Sequence, residues 1–266
     1  MIMWAIAACL AALATTTKGM MPAPATFAFA TVLATTSTLG LGTFGTAPAT
    51  KIDMFAEKSD KLEGRIIPEA GLTHENVSSK ITCLSYCARD PECMSFFYIK
   101  ATQTCILHTI VYVSMDDTVR SDGSSYYIVG NKNKCPIHKG FFHKRNLNAC
   151  YYVVTDRANL TEAVSNCSEM DAEFGYPYSS ALYDHFNDVL TGSFLYRKRE
   201  FWTGIVRQEG LSTYAFYSDY SIPNFSRWSA AEPSGHKCVV TSLEDNWQWE
   251  STECNRRKAY ICLIGI

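Results

Sequence analysis

The sequence predicts an α+β protein built as two disulfide-linked units, and three observations predict it. The eleven cysteines fall at 9, 83, 87, 93, 105, 135, 150, 167, 238, 254 and 262, four between residues 80 and 110 and six from 135 onward. A Gly/Asn/Lys turn ending in proline, "GNKNKCP" at 130–136, separates the two groups. Both stretches mix apolar residues at helical spacing with short aromatic runs of strand character. At 266 residues the chain is long enough for two ordinary domains, and its 47% hydrophobic content supports real cores. The net charge of −2 provides no global field that selects nucleic acid or an acidic membrane.

The N-terminal stretch points outside the cell. "IMWAIAACLAALA", 2–14, is an apolar run of signal-sequence length with small residues Ala12 and Ala14 around Leu13, so residues 1–19 read as a signal peptide. Its removal discards Cys9 and leaves ten cysteines, an even number suited to an oxidising compartment. Sequons at Asn76, Asn159, Asn166 and Asn224 agree with a secreted, extracellular glycoprotein, with Asn76, Asn159 and Asn224 the expected glycosylation sites and Asn166 hindered by Cys167. Residues 20–52 are Ala/Thr-rich and read as a disordered linker. A membrane anchor through 20–48, or a later start at Met20 or Met21, are the alternatives; Thr, Gly and Pro make this stretch a poor span, so no stable membrane insertion is expected.

In the first unit, 53–130, Cys83 and Cys87 lie one helical turn apart on a short helix that Ser78 or Ser79 caps. "DPEC" makes a turn, and "MSFFYIK" and "TCILHTIVYV" are aromatic, apolar strands. Nested bonds Cys83–Cys105 and Cys87–Cys93 would tie helix to strand and helix to turn, although four cysteines allow three pairings and spacing alone does not choose. The alternative, a zinc site, lacks any C-x-x-C. The pattern, closed by "GSSYYIVG", resembles the PAN/apple module, a small α+β sheet cradling one helix.

The second unit, 131–266, opens with "NLTEAVSNCSEM" and "SSALYDHFNDVL", both at helical spacing, the second capped by Ser179 or Ser180. "EFWTGIV" is a strand, "TYAFYSDYSIPNFSRW" a long aromatic stretch rich in turns, and "KCVVTS", "NWQWES" and "KAYICLI" three further strands. Trp247 and Trp249 alternate through Gln248, which places both indoles on one side of a strand. Two helices followed by "FWTGI", "RWSAAEPS", a tryptophan five residues before Cys254, and a closing "YIC" resemble the C-type lectin-like fold: two helices, antiparallel sheets, a long loop region and three disulfides. Trp202, Gly204 and Ile205 stand in its W-I-G-L position, and Trp228 with Glu232-Pro233 in its W…E-P stretch. The resemblance implies Cys135–Cys150, Cys167–Cys262 and Cys238–Cys254.

The resemblance also implies a site. The family's sugar-binding calcium takes Glu and Asn from E-P-N, a Glu before the next cysteine, and Asn and Asp from W-N-D. This chain offers Glu232, Ser234, His236, Glu250 and Ser251 around Pro233. Calcium wants six to eight hard oxygens. Two carboxylates, Glu232 and Glu250, are a degraded metal set, and imidazole suits zinc or copper better. No cofactor is therefore required, with calcium the one candidate. The family's proline is often cis, so the loop shape could survive without metal. Tyr217, Tyr220 and Phe225 are the candidate aromatic binding surface, with Tyr214 and Phe216 read as core. Lys132, Lys134, Lys139, Lys144 and Arg145, with His138 and His143, form a basic cluster around Cys135, read as a solvated hairpin or as an acidic-glycan patch.

No G-x-S-x-G, H-E-x-x-H or Gly-rich phosphate loop occurs, so the expectation is not an enzyme. The expected function is a secreted recognition protein that binds carbohydrate with weak or no calcium dependence. The alternative is a protein-binding adhesion or matrix module on a lectin-like fold. The partner is then carbohydrate or an extracellular glycoprotein, and not nucleic acid.

Overall fold

The computed structural model describes residues 28–33, 51–67, 71–175, 177–210 and 212–265. The expected signal peptide, Cys9 and most of the 20–52 stretch lie outside them. Among the described residues no helix is long and apolar enough to cross a membrane.

The first unit contains β1 (Ala28–Leu33), β2 (Lys51–Ser59), β3 (Arg65–Ile66), β4 (Leu72–His74), α1 (Lys80–Arg89), β5 (Ser95–Ile99), β6 (Thr104–His108), β7 (Val119–Arg120) and β8 (Ser124–Asn131). Six strands form an antiparallel sheet in the order β1-β2-β8-β5-β6-β4, and β3 pairs β7. Within 20–52, Ala28–Leu33 pairs with β2, Phe29 opposite Phe55 and Val32 opposite Ile52. Its Phe, Thr and Val residues have strand propensity. β2 also begins at Lys51 rather than after the linker. α1 starts where the Ser79 hydroxyl accepts from Thr82 N at 3.1 Å. Its buried face, Cys83, Leu84 and Cys87, packs on Phe96, Tyr98, Leu107 and Tyr127. Disulfides Cys83–Cys105 and Cys87–Cys93 fasten that face to β6 and to the turn after α1.

The second unit contains β9 (Phe142–Lys144), β10 (Ala149–Ala158), α2 (Leu160–Ser168), β11 (Glu173–Phe174), α3 (Ser180–Thr191), α4 (Phe194–Arg197), β12 (Phe201–Arg207), β13 (Tyr214–Phe216), β14 (Cys238–Thr241), β15 (Trp249–Thr252) and β16 (Lys258–Gly265). The sheet runs β15-β14-β12-β16-β10-β9, with β11 on β16 and β13 on β12. Asn159 and Glu162 close a reciprocal capping box on α2. The Ser179 hydroxyl accepts from Leu182 N at 3.2 Å to start α3. Disulfides join Cys135–Cys150, Cys167–Cys262 and Cys238–Cys254. Cys167–Cys262 spans 95 positions and ties α2 to the last strand.

The two units share one core. Adjacent residues of a strand face opposite sides of its sheet. In β5, Phe96 and Tyr98 face α1, whereas Phe97 points the other way, and both faces are buried. Phe97 and Tyr126 join a cluster with Tyr151, Leu182, Phe186 and Leu190 of the second unit. Gly192, just after α3, sits where a Cβ would lie 2.2 Å from Ile110 Cδ1. Close approach of the units there requires the missing side chain.

The seam also has a polar half. Lys144 Nζ lies 2.6 Å from Glu92 Oε2 and its side chain is buried. The Arg145 guanidinium donates to the carbonyl oxygens of Cys87 (2.7 Å), Ala88 (2.9 Å), Cys93 (2.8 Å) and Asp90. His143 Nδ1 accepts from Asn131 N at 3.1 Å. The basic cluster around Cys135 is thus divided. Lys132, Lys134, His138 and Lys139 are exposed, but His143, Lys144 and Arg145 are taken into the seam, by the Asn131 N–H, by Glu92 and by the carbonyls at and just after the end of α1 respectively.

Candidate functional site

The loop between β13 and β14 carries Glu232, Pro233, Ser234 and His236. β14 and β15 pair in antiparallel register, Val239 opposite Ser251 and Val240 opposite Glu250. Alternation along β15 then buries Trp249 and Ser251 and leaves Glu250 half-exposed. Ser251 meets the loop; Glu250 turns toward Asp245. Burial raises the Glu250 carboxyl above its ordinary value, and the carboxylates of Asp245 and Glu232 add to the rise.

Glu232 and Ser251 form the centre of a closed hydrogen-bond knot. Glu232 Oε2 accepts from Ser234 N at 2.7 Å, from Ser251 N at 2.9 Å and from Ser251 Oγ at 2.5 Å. Ser251 Oγ lies 2.8 Å from Ser234 Oγ and 3.0 Å from Ser234 N. Burial pushes the Glu232 carboxyl up, but the donors from Ser251 and Ser234 outweigh it and hold the group below its ordinary value. The Glu232–Pro233 bond is cis.

This donor set does not fit calcium. A calcium ion requires oxygen lone pairs converging on one point. Here three N–H or O–H donors aim their protons at the one carboxylate oxygen, so positive charge already occupies the place beside it. The hydroxyl of Ser234 is engaged with that of Ser251. His236 is exposed, and its carbonyl accepts from the Tyr214 hydroxyl at 2.6 Å. Among the described residues no group of three or more His, Cys, Asp or Glu gathers to hold a metal.

Beneath the knot lies an aromatic cluster. Trp249 packs edge-on to Trp228 at 5.6 Å and to Tyr183 at 5.9 Å. Phe225, a candidate for the binding surface, packs here half-buried, 5.4 Å from Trp249. Its ring also lies 5.8 Å from that of Tyr183. The expectation for Trp247 is corrected. β15 begins only at Trp249, and Trp247 adopts a left-handed backbone with φ 58°. Its indole packs near Phe201 and donates to Thr191 Oγ1 at 2.8 Å, away from Trp249.

Tyr217 and Tyr220 are exposed, and both border an open cleft of about 450 Å³. Leu160 and Thr161 at the start of α2 form one wall, and Arg207, Gln208 and Lys237 another. Tyr220 holds φ 58°, fixed by its N–H to Phe216 O at 3.0 Å and by the Gln208 amide donating to its carbonyl at 3.3 Å. Arg207 and Lys237 escape a reading of the sequence because no motif marks them. Only the register of β12 on β14 brings them together.

Of the sequons, Asn76 and Asn224 are exposed and Asn159 is half-buried as the cap of α2. Asn166 donates its amide to the Tyr260 hydroxyl at 2.8 Å.

Residues 156–264 match the Lectin C-type domain family, and residues 58–135 match the PAN domain family. The chain therefore carries a PAN domain followed by a C-type lectin domain. Collectin-10 of Homo sapiens is 26% identical over 115 residues, 42% of this chain and 40% of that protein. Collectin-10 of Mus musculus is 25% identical over the same shares. The chain thus spans about 40% of the length of these relatives. Among solved structures, the Ca2+-independent C-type lectin SPL-2 from Saxidomus purpuratus is 23% identical, covering 51% of this chain and 97% of its own, with a TM-score of 0.44. Human lithostathine is 18% identical, covering 44% and 84%, with a TM-score of 0.40.

Proposed function

We propose that this chain is a secreted recognition protein whose C-type lectin domain binds carbohydrate without calcium. The observation that supports it is the knot of Glu232, Ser234 and Ser251, in which hydrogen-bond donors take the place a cation would hold. The loop is then shaped by the chain itself. The Tyr217–Tyr220 cleft beside it supplies aromatic faces on which sugar rings stack. Glu232, Ser234, His236, Glu250 and Ser251 act in this reading as loop architecture, not as metal ligands.

A second reading, a protein-binding adhesion module, is favoured by Ile222. It is 66% exposed beside Tyr220, and a saccharide has little use for an exposed aliphatic side chain. A glycan array probed with the secreted protein, with calcium and with chelator, separates the two. Saccharide binding that survives chelator supports the first. Absence of binding to any glycan, together with capture of an extracellular glycoprotein that free sugar does not compete, supports the second.

A further inference from the structure

We propose that the cleft between α2 and the β12–β14 strand ends takes an acidic saccharide, one carrying a carboxylate or a sulfate. The proposal rests on the carbohydrate reading above and names the ligand class. Val206 pairs with Cys238, and one step further the Arg207 N–H donates to Lys237 O at 2.7 Å. Arg207 and Lys237 therefore stand opposite each other on adjacent strands, at the cleft. Directly opposed side chains share one face of the sheet, and like charges in that arrangement repel. Neither cation forms an ion pair within the described residues. Two unpaired, opposed cations at an open cleft are a place where an anion removes a repulsion as well as gaining an attraction.

The remaining lining fits the rest of a sugar. Tyr217 and Tyr220 offer ring faces, and Tyr220 is 62% exposed in a left-handed backbone that non-glycine residues adopt at a cost. The Gln208 amide oxygen and the Glu209 carboxylate accept hydroxyl hydrogen bonds. Glu209 is the one carboxylate among the described lining residues, outnumbered by the two cations, and accepting from hydroxyls gives it a use other than opposing the anion. A hydroxyl-rich ring with one acidic substituent uses Arg207, Lys237, Gln208 and Glu209 together.

The test titrates the full secreted chain, in chelator, with sialyllactose, a sulfated heparin hexasaccharide and lactose. The expected result is binding of one or both acidic probes at least about tenfold tighter than lactose, with Arg207→Gln/Lys237→Gln losing about tenfold for the acidic probes only. Which acidic probe binds distinguishes carboxylate from sulfate. Tyr220→Ala weakens all bound probes. Should the double variant not fold, the wild-type affinity for the acidic probe is followed as salt rises from about 0.05 to 0.5 M, where it must fall while lactose binding does not. Equal binding of lactose, or a folded double variant that binds acidic probes as wild type does, overturns the proposal and leaves the carbohydrate reading standing. Failure of all three probes, and of a neutral glycan array, overturns both.

Discussion

Arg145 of the second unit donates to the carbonyl oxygen of Cys93 in the first at 2.8 Å, inside a ring of four such carbonyls. A single guanidinium thus caps the end of α1 and the turn that Cys87–Cys93 closes. Arg145→Ala leaves these carbonyls without their donor and is expected to destabilise the protein by on the order of 2–4 kcal/mol. Arg145→Lys recovers only part, because an ammonium lacks the planar fork. In denaturant the wild type is expected to unfold in one transition, because the apolar cluster of Phe97, Tyr126, Tyr151 and Phe186 joins the two units. Arg145→Ala is expected to lower the midpoint of that transition, and two separate transitions in the wild type would contradict the shared core.

The seam also carries a pH dependence. Burial lowers the His143 imidazole from 6.5 to about 4, with Arg145 and Lys134 adding to the drop. Its Nδ1 is the acceptor for Asn131 N, so the folded state needs the neutral ring. The unfolded chain binds its proton near the ordinary value and the folded chain does not. Stability from this site is complete above pH 6.5, is lost as pH falls from 6.5 toward 4, and changes no further below. The loss reaches about 3 kcal/mol at most. His185, also buried and lowered to about 3, has the same sign. His143→Gln, which keeps an acceptor, is expected to flatten part of the acid loss between pH 6.5 and 4 in thermal melts; an unaltered slope argues against the assignment.

The loop knot predicts indifference to metal. Adding millimolar calcium, or removing it with chelator, should leave the melting temperature unchanged. Ser251→Ala removes one donor to Glu232 and the link to Ser234, and is expected to cost about 1 kcal/mol, since the Glu232 carboxylate that loses the donor is only half-buried. A calcium-induced rise in melting temperature would show a cation site that the hydrogen bonds do not fill.

Cys167–Cys262 closes the longest loop among the five bonds, 95 positions. Replacing both cysteines by alanine is expected to lower stability by on the order of 4–5 kcal/mol in the chain-entropy account. Chemical denaturation measures this directly, and a loss under about 1 kcal/mol would place the constraint elsewhere.

Much of the fold is legible in the sequence because it is local. The Ser79 and Ser179 caps, the helix faces of α1 to α3 and the aromatic strands follow from spacing and side-chain chemistry. The seam is not legible in this way. "SFFYI" and "SSYYIVG" are apolar on both faces, which in hindsight says that both faces are covered, but spacing does not say by what. Lys144 and Arg145 look like solvent residues until the carbonyls of the distant Cys87–Cys93 turn are placed beside them. At the site, the replacement of E-P-N and W-N-D by Glu232-Pro-Ser and Trp249-Glu-Ser reveals that a calcium set is degraded. It does not reveal that the substituting serines hydrogen-bond to Glu232. Trp247 leaves the strand alternation because its left-handed backbone redirects the indole, and the packing of Phe225 on Trp249 is a tertiary contact that no spacing announces.

The most direct measurement is glycan binding by the secreted protein in parallel arms, one with calcium and one with chelator. The account predicts the same set of bound saccharides, with the same affinities, in both arms. Binding that disappears in chelator and returns with calcium, or no saccharide bound in either arm, would contradict it.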